Sequence, residues 1–215
     1  MAKPRTPKGR AQRVNELLTG EYPDAVCELD HVSPFQLLIA TIMSAQATDV
    51  GVNKVTPALF AKFPDAESLA EANVEEVEQI IGSLGLFRSK AKNITTCAQQ
   101  LVDRHEGEVP TSMKDLTALA GVGRKTANVV RSVALDLPGL PVDTHVLRLS
   151  HLLQITEQTD PVKVELELNP MIPAGQRGEF SLRMILHGRR VCVARRPRCG
   201  DCVLAWFCPS STVVG

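Results

Sequence analysis

Residues 116–128 read LTALAGVGRKTAN, the pattern of two helices joined by a glycine-rich turn. One helix is expected to end near Ala120, the chain to turn through Gly121-Val122-Gly123, and a second helix to begin at Arg124. Two glycines permit positive φ and let backbone N–H groups approach an anion closely. The second helix adds its own N-terminal N–H groups and the positive end of its dipole, so a phosphate is the natural guest. The string is not a P-loop, because Gly123 and Lys125 are not adjacent and no strand precedes them. A helix–Gly-x-Gly–helix turn suits one strand of a DNA backbone better than a nucleoside triphosphate.

Lys125 falls in the first turn of that second helix. It reads either as a phosphate ligand or as a nucleophile, since a cation beside a helix N-terminus is disfavoured and the neutral amine gains. The dipole supplies only about 1–2 kcal/mol in that direction, so desolvation by a bound substrate must supply the rest. Further on, Pro141-Val142-Asp143-Thr144-His145 opens another helix with the apolar stripe Val146, Leu149, Leu152 and Leu153. Asp143 is its expected N-cap, a role that accounts for it fully. The helix between and its Pro-rich return also allow Asp143 to come back over Lys125, giving the amine–carboxylate pair of covalent catalysis.

The rest of the chain reads as helix too. Of its 215 residues 44% are hydrophobic and 22% charged, enough to build the core of one large or two small domains. Aromatics make up only 4%, and no segment alternates with period two, which predicts an all-α fold. Ser33-Pro34 reads as N-cap and N1 of a core helix over 35–45. Helices are also expected over 10–20, 51–62, 73–81, 87–105, 113–119, 123–135, 144–153, 161–168 and 179–190. Residues 1–9, rich in Pro and Lys, are expected to be disordered.

The formal net charge is zero, which excludes a polybasic coat but not a basic face. Between Arg177 and Arg198 stand seven Arg and a single acid, Glu179; the first thirteen residues carry Lys3, Arg5, Lys8, Arg10 and Arg13 and no acid. Residues 1–20 lack the apolar run of a signal peptide, and no stretch approaches the roughly 18 apolar residues of a membrane span. A cytoplasmic, nucleoid-associated protein with no membrane partner is expected.

Cys27 and Cys97 stand alone and read as small buried hydrophobes. Cys192, Cys199, Cys202 and Cys208 are spaced C-x6-C-x2-C-x5-C. Four thiolates so close in a reducing compartment point to metal, whose charge offsets their repulsion, rather than to disulfides. Zinc ribbons usually pair two short knuckles, and only one short pair exists here, so the spacing favours a cubane over zinc without eliminating it. Between the first two cysteines, Arg195, Arg196 and Arg198 would be turned outward, toward phosphates.

The Gly-Val-Gly turn with Lys125, then Asp143, then the cysteine quartet together resemble the endonuclease III family of helix-hairpin-helix DNA glycosylases. The resemblance extends through LLIATIMSAQATDVGVNK (37–54), GLFRSKAKNI (85–94), GEVP (107–110), GVGRKTANVV (121–130), VDTHVLR (142–148), ILHGRRVC (185–192) and RPRCGDC (196–202). It implies two helical domains with DNA in the cleft between them. A six-helix barrel with the hairpin would span 27–137, and a discontinuous iron–sulfur domain would combine 1–26 with 138–215. It implies a [4Fe-4S] cluster on the four cysteines, Lys125 as nucleophile and Asp143 as its partner. Gln46 and Leu86 would fill the gap behind a flipped nucleotide; Gly121, Val122, Gly123, Arg124, Thr126, His145, Arg195 and Arg196 would contact DNA. The implied activity is that of a monomeric glycosylase and abasic-site lyase acting on damaged duplex DNA, removing oxidised pyrimidines and nicking by β-elimination. The family's usual Pro before the turn is Ala120 here, which is expected to loosen it, and Arg88 adds a charge beside Leu86.

Two other readings stay open at this point. A monofunctional adenine-type glycosylase normally lacks Lys at position 125 and carries a further C-terminal domain, whereas this chain stops seven residues after Cys208. A non-catalytic hairpin protein with structural zinc would bind DNA and be colourless.

Overall fold

The structure, a computed structural model, describes residues 3–213. Along the chain run α1 (Pro7–Glu21), α2 (Pro34–Met43), α3 (Asp49–Lys62), α4 (Ala66–Ala70), α5 (Val74–Ile81), α6 (Phe87–His105), α7 (Met113–Thr117), α8 (Arg124–Val133), α9 (Thr144–Leu152), α10 (Pro161–Leu168) and α11 (Arg177–Arg190). Short 3-10 turns precede α11 and lie at Cys199–Asp201, and there is no strand among the described residues. The all-α reading holds.

The helices group into two compact units. The unit formed by Cys27–Leu137 is built on α2, whose residues from Leu37 to Met43 are all buried. Ser33 accepts from the Gln36 N–H and Pro34 opens the helix, the expected cap. α2 packs on α3, α6 and α8, and α6 packs in turn on α4 and α5. Each fully buried Leu or Ile here contributes about 1.5–3 kcal/mol, which makes α2 the post around which the unit assembles.

The other unit comprises the chain up to Val26 and from Pro138 onward. Here α11 packs on α1 and α9, with Leu18, Phe180, Met184, Leu149 and Leu140 in the core. Arg183, 6% exposed, donates to Thr19 Oγ1, the Tyr22 carbonyl and Glu179, so its charge is buried but fully partnered.

Three expectations need correction. The N-terminal segment is not disordered from residue 3 on: Thr6 caps α1, Pro7 opens it, and Arg10 donates to the Leu153 carbonyl and to Gln154 Oε1. Residues 1 and 2 lie outside the described residues. Two cations of the basic N-terminal run are thus spent inside the unit, since Arg13 pairs with Glu16 and lies over the Trp206 ring. Finally, α4 was not anticipated; a reciprocal capping box between Asp65 and Ser68 stabilises it.

Candidate functional site

In the Cys27–Leu137 unit, α7 and α8 pack as a hairpin joined through Gly121-Val122-Gly123. Val122 is the turn's buried anchor, while Gly121 and Gly123 are exposed. Gly121 has φ +74, and a Cβ there would sit 2.9 Å from Ile42 Cγ2, so only glycine fits. Gly123 caps α8 in extended conformation with no side-chain hydrogen bond, and a Cβ on it would meet nothing. The first turn of α8 therefore presents backbone N–H groups that no side chain covers, the setting for an anion. Lys125 is exposed in that turn, beside half-buried Arg124 and Thr126.

Two other predicted residues of this unit share an unusual backbone. Gln46 has φ 55 and Leu86 φ 57, and both are exposed, Leu86 by 61%. Leu86 is also the N-cap of α6 and makes no capping hydrogen bond. A large apolar residue held left-handed in solvent costs about 1–2 kcal/mol and contributes nothing to the core, a combination found where a side chain is needed outside it. Arg88 stacks over Phe87 and lies 4.0 Å from Glu78. Lys90, one turn further, is buried; its Nζ has no hydrogen-bond partner, and desolvation lowers its pKa.

In the other unit, Asp143 caps α9 as expected, accepting from the N–H groups of His145 and Val146 at 2.8 Å, both on Oδ1. α9 and α11 approach closely at Gly188, where a Cβ would stand 2.8 Å from His145 Nδ1. Arg148, a turn along α9, donates to the Cys192 carbonyl at 2.6 Å and to the Gly188 carbonyl at 3.3 Å. An open cavity of about 520 Å³, lined by Thr144, His145, Arg148, Gly188, Arg189, Val193 and Ala194, adjoins the start of α9.

Cys192, Cys199, Cys202 and Cys208 line one cavity of about 70 Å³. Among the described residues, no three His, Cys, Asp or Glu side chains are placed to hold a metal ion. Burial raises Cys202 to about 11, and the other three thiols of the quartet push in the same direction. Cys208 is raised by burial too, whereas hydrogen bonds from Thr212 lower Cys199. His187, buried, bridges Tyr22 Oη at 3.1 Å and Cys202 Sγ at 3.3 Å, and desolvation lowers it to about 4. In the loop between the first two cysteines, Arg195 and Arg196 are exposed as expected. Arg198 is exposed as well, and its guanidinium donates to the Arg190 carbonyl.

Sequence reasoning missed Arg148, Gly188, His187 and Lys90. A glycine inside the last turn of a helix, in HGRR (187–190), was the available signal for the close approach at Gly188. His187 and Lys90 carry no local signal.

A hairpin turn of this build belongs to the helix-hairpin-helix base-excision proteins, and the model of the HhH-GPD superfamily of base excision DNA repair proteins matches residues 39–174. Within that superfamily the chain belongs to the endonuclease III family. It is similar to endonuclease III of Synechocystis at 51% identity over 95% of this chain and 94% of that protein. The Escherichia coli K12 endonuclease III is 43% identical over 86% of this chain and 88% of its own length. Among solved structures, a trapped endonuclease III–DNA covalent intermediate superposes with a TM-score of 0.89 at 43% identity, covering 94% of this chain and 96% of that one.

Proposed function

We propose that the chain is a bifunctional DNA glycosylase and abasic-site lyase of base excision repair that removes oxidised pyrimidines. The observation that carries this reading is the exposed Lys125 in the uncapped first turn of α8, directly after a Gly-Val-Gly turn that only glycine can make at Gly121. The similar endonuclease III that was trapped as a covalent intermediate with DNA supports it.

The N–H groups at Gly121 and Gly123, with Arg124 and Thr126, hold phosphates of the damaged strand while Val122 anchors the turn from inside, and His145, Arg195 and Arg196 hold others. Gln46 and Leu86 enter the stack as the damaged nucleotide leaves it; a damaged base is cheaper to flip because its stacking is impaired. The Lys125 amine attacks C1′ and the C1′–N bond breaks, the base departing with its electron pair. Asp143, with Oδ1 engaged in the cap, stabilises the positive charge that develops on the sugar. The new amine passes a proton to the ring oxygen, the C1′–O4′ bond breaks, and the sugar opens to a Schiff base on Lys125. Water takes the 2′-proton, the C3′–O bond breaks to expel the 3′-phosphate and nick the strand, and hydrolysis of the imine releases the enzyme.

Cys192, Cys199, Cys202 and Cys208 would hold a [4Fe-4S] cluster, because the four residues line one cavity and a cubane is held by four thiolates. When bound, the cluster supplies the positive charge that lets four neighbouring thiols ionise, and it stiffens the loop carrying Arg195 and Arg196. The enzyme acts as a monomer on chromosomal DNA in the cytosol, associated with the nucleoid; no helix among the described residues is long and apolar enough to cross a membrane.

Borohydride trapping tests the reading. The protein is mixed with a duplex carrying one oxidised pyrimidine, reductant is added, and a covalent protein–DNA band is sought. A band for wild type and none for Lys125→Gln is expected. No band with that duplex or with an abasic duplex would refute the lyase, and a band surviving in Lys125→Gln would move the nucleophile to another amine, Lys90 first.

A further inference from the structure

The turn that precedes Lys125 is held from behind by a side chain outside the hairpin. Around it, local bonds account for the neighbours: the Leu119 N–H donates to the Leu116 carbonyl and the Val122 N–H to the Leu119 carbonyl. The Ala120 N–H instead donates to Gln100 Oε1 at 2.7 Å, twenty residues back in α6. Gln100 is half-buried, and its side chain makes no other hydrogen bond among the described residues. The next residue, Gly121, is the one at φ +74, pressed between Ile42 of α2 and Asn93 of α6, whose Cβ would lie 3.1 Å from a Cβ on Gly121. Asn93 and Gln100 are seven residues apart, two helical turns, and so share a face of α6. That face backs the turn twice, once by packing at Gly121 and once by a hydrogen bond at Ala120.

The bond matters because the flexible part of the turn begins one residue later. Gly121 and Gly123 give the turn little stiffness of its own, since glycine has the most backbone freedom to lose. A peptide group pinned at 2.7 Å just before Gly121 limits the rotations through which the turn would relax. We infer that Gln100 is a positioning residue for DNA binding: its side-chain carbonyl anchors the Ala120 amide and keeps the N–H groups of Gly121 and Gly123 aimed at a phosphate. The inference rests on the phosphate-binding role proposed for this turn. It also answers the expectation of a loose turn at Ala120, because the N–H that alanine retains is the group Gln100 holds.

A double-mutant cycle tests it in the full-length protein: wild type, Gln100→Leu, Ala120→Pro and the double variant. Ala120→Pro deletes the N–H and adds no polar group. Affinity is read on a duplex with an uncleavable tetrahydrofuran site, with turnover at saturating DNA, thermal midpoint and exchange protection of the Ala120 amide alongside. Gln100→Leu should weaken binding by about fivefold, the worth of one hydrogen bond, with turnover at saturation preserved and the amide deprotected. The salt slope of binding should not change, because no cation is lost. In the Ala120→Pro background, Gln100→Leu should change nothing further.

Equal loss in both backgrounds would overturn the inference, as would a lowered thermal midpoint with unchanged affinity. Should Gln100→Leu fail to fold, Gln100→Met keeps the length without a strong acceptor and must give the same coupling. Gly123→Val separates the anchor from the phosphate site, since a Cβ there has no protein atom within 4 Å. Intact affinity in Gly123→Val would sink the phosphate role of the turn itself. Weak binding there, with normal binding in Gln100→Leu, would remove only the anchor.

Discussion

Arg148 donates to the carbonyl oxygen of Cys192 at 2.6 Å, and the same nitrogen lies 3.6 Å from the Cys192 sulfur. Its other terminal nitrogen reaches the Gly188 carbonyl and His145 Nδ1, each at 3.3 Å. One guanidinium thus ties the first cysteine of the quartet to the helix that Asp143 caps. Removing the fork leaves two carbonyls without this donor, a loss of about 1.5–3 kcal/mol for a charged hydrogen-bond donor. Arg148→Ala should lower both visible absorbance per protein and the thermal midpoint, and Arg148→Lys should rescue neither fully, because an ammonium cannot span the fork. Unchanged absorbance and midpoint in Arg148→Ala would show the tie to be idle.

Asp143 has two jobs that one substitution separates. Asparagine caps a helix about as well as aspartate, so Asp143→Asn should cost less than about 1 kcal/mol of stability. It removes the negative charge, and base release should fall by about 10²–10³-fold, as for loss of one electrostatic contact to a transition state. Single-turnover kinetics beside urea denaturation decide the matter; a rate within a few-fold of wild type would reduce Asp143 to its cap.

Leu86 is predicted to trade stability for activity. Its φ of 57 burdens the fold and its side chain is 61% exposed. Leu86→Gly should leave stability unchanged or raise it by about 0.5–1 kcal/mol, since glycine accepts this conformation freely. Activity on a paired lesion should drop by about tenfold, because the unstacking of the flipped base loses its compensation. The same variant should act nearly normally on single-stranded abasic DNA. Equal losses on both substrates would argue against a wedge.

Cys97 makes stability depend on alkaline pH. Burial raises this thiol from 9.0 to about 12. The unfolded chain ionises first, so the contribution is fully present below pH 9 and is lost as pH rises toward 12. Between pH 8 and 10.5 the loss should be about 2 kcal/mol. Urea midpoints for wild type and Cys97→Val measure it by difference, which cancels the other titrating groups. A pH dependence identical in the two proteins would show the thiol to be more accessible than its burial indicates.

Much of the fold was legible because it is written in short range. Ser33-Pro34, Asp143 and the Gly-Val-Gly turn act on residues within one helical turn of themselves, so their roles as cap, cap and hairpin follow from residue type and position. The five-residue α4 carried the same kind of signal in Asp65 and Ser68, yet it is too short to show a hydrophobic period, and the acidic run around it reads as surface. The N-terminal segment misled for the opposite reason: Pro and Lys suggest disorder, but Arg10 is held by Leu153 and Gln154, far along the chain.

The sequence by itself determined the all-helical class, the hairpin, the candidate nucleophile and carboxylate, and the thiol quartet, since each rests on periodicity, on local backbone requirement or on spacing. The tertiary structure alone decided which side chains support them. Gln100 meets Ala120 across twenty residues and Arg148 meets Cys192 across forty-four, and only the packing of helices brings such pairs together. The left-handed backbone of Gln46 and Leu86 belongs to the same class: neither residue type favours it, so the conformation exists because the surrounding helices impose it.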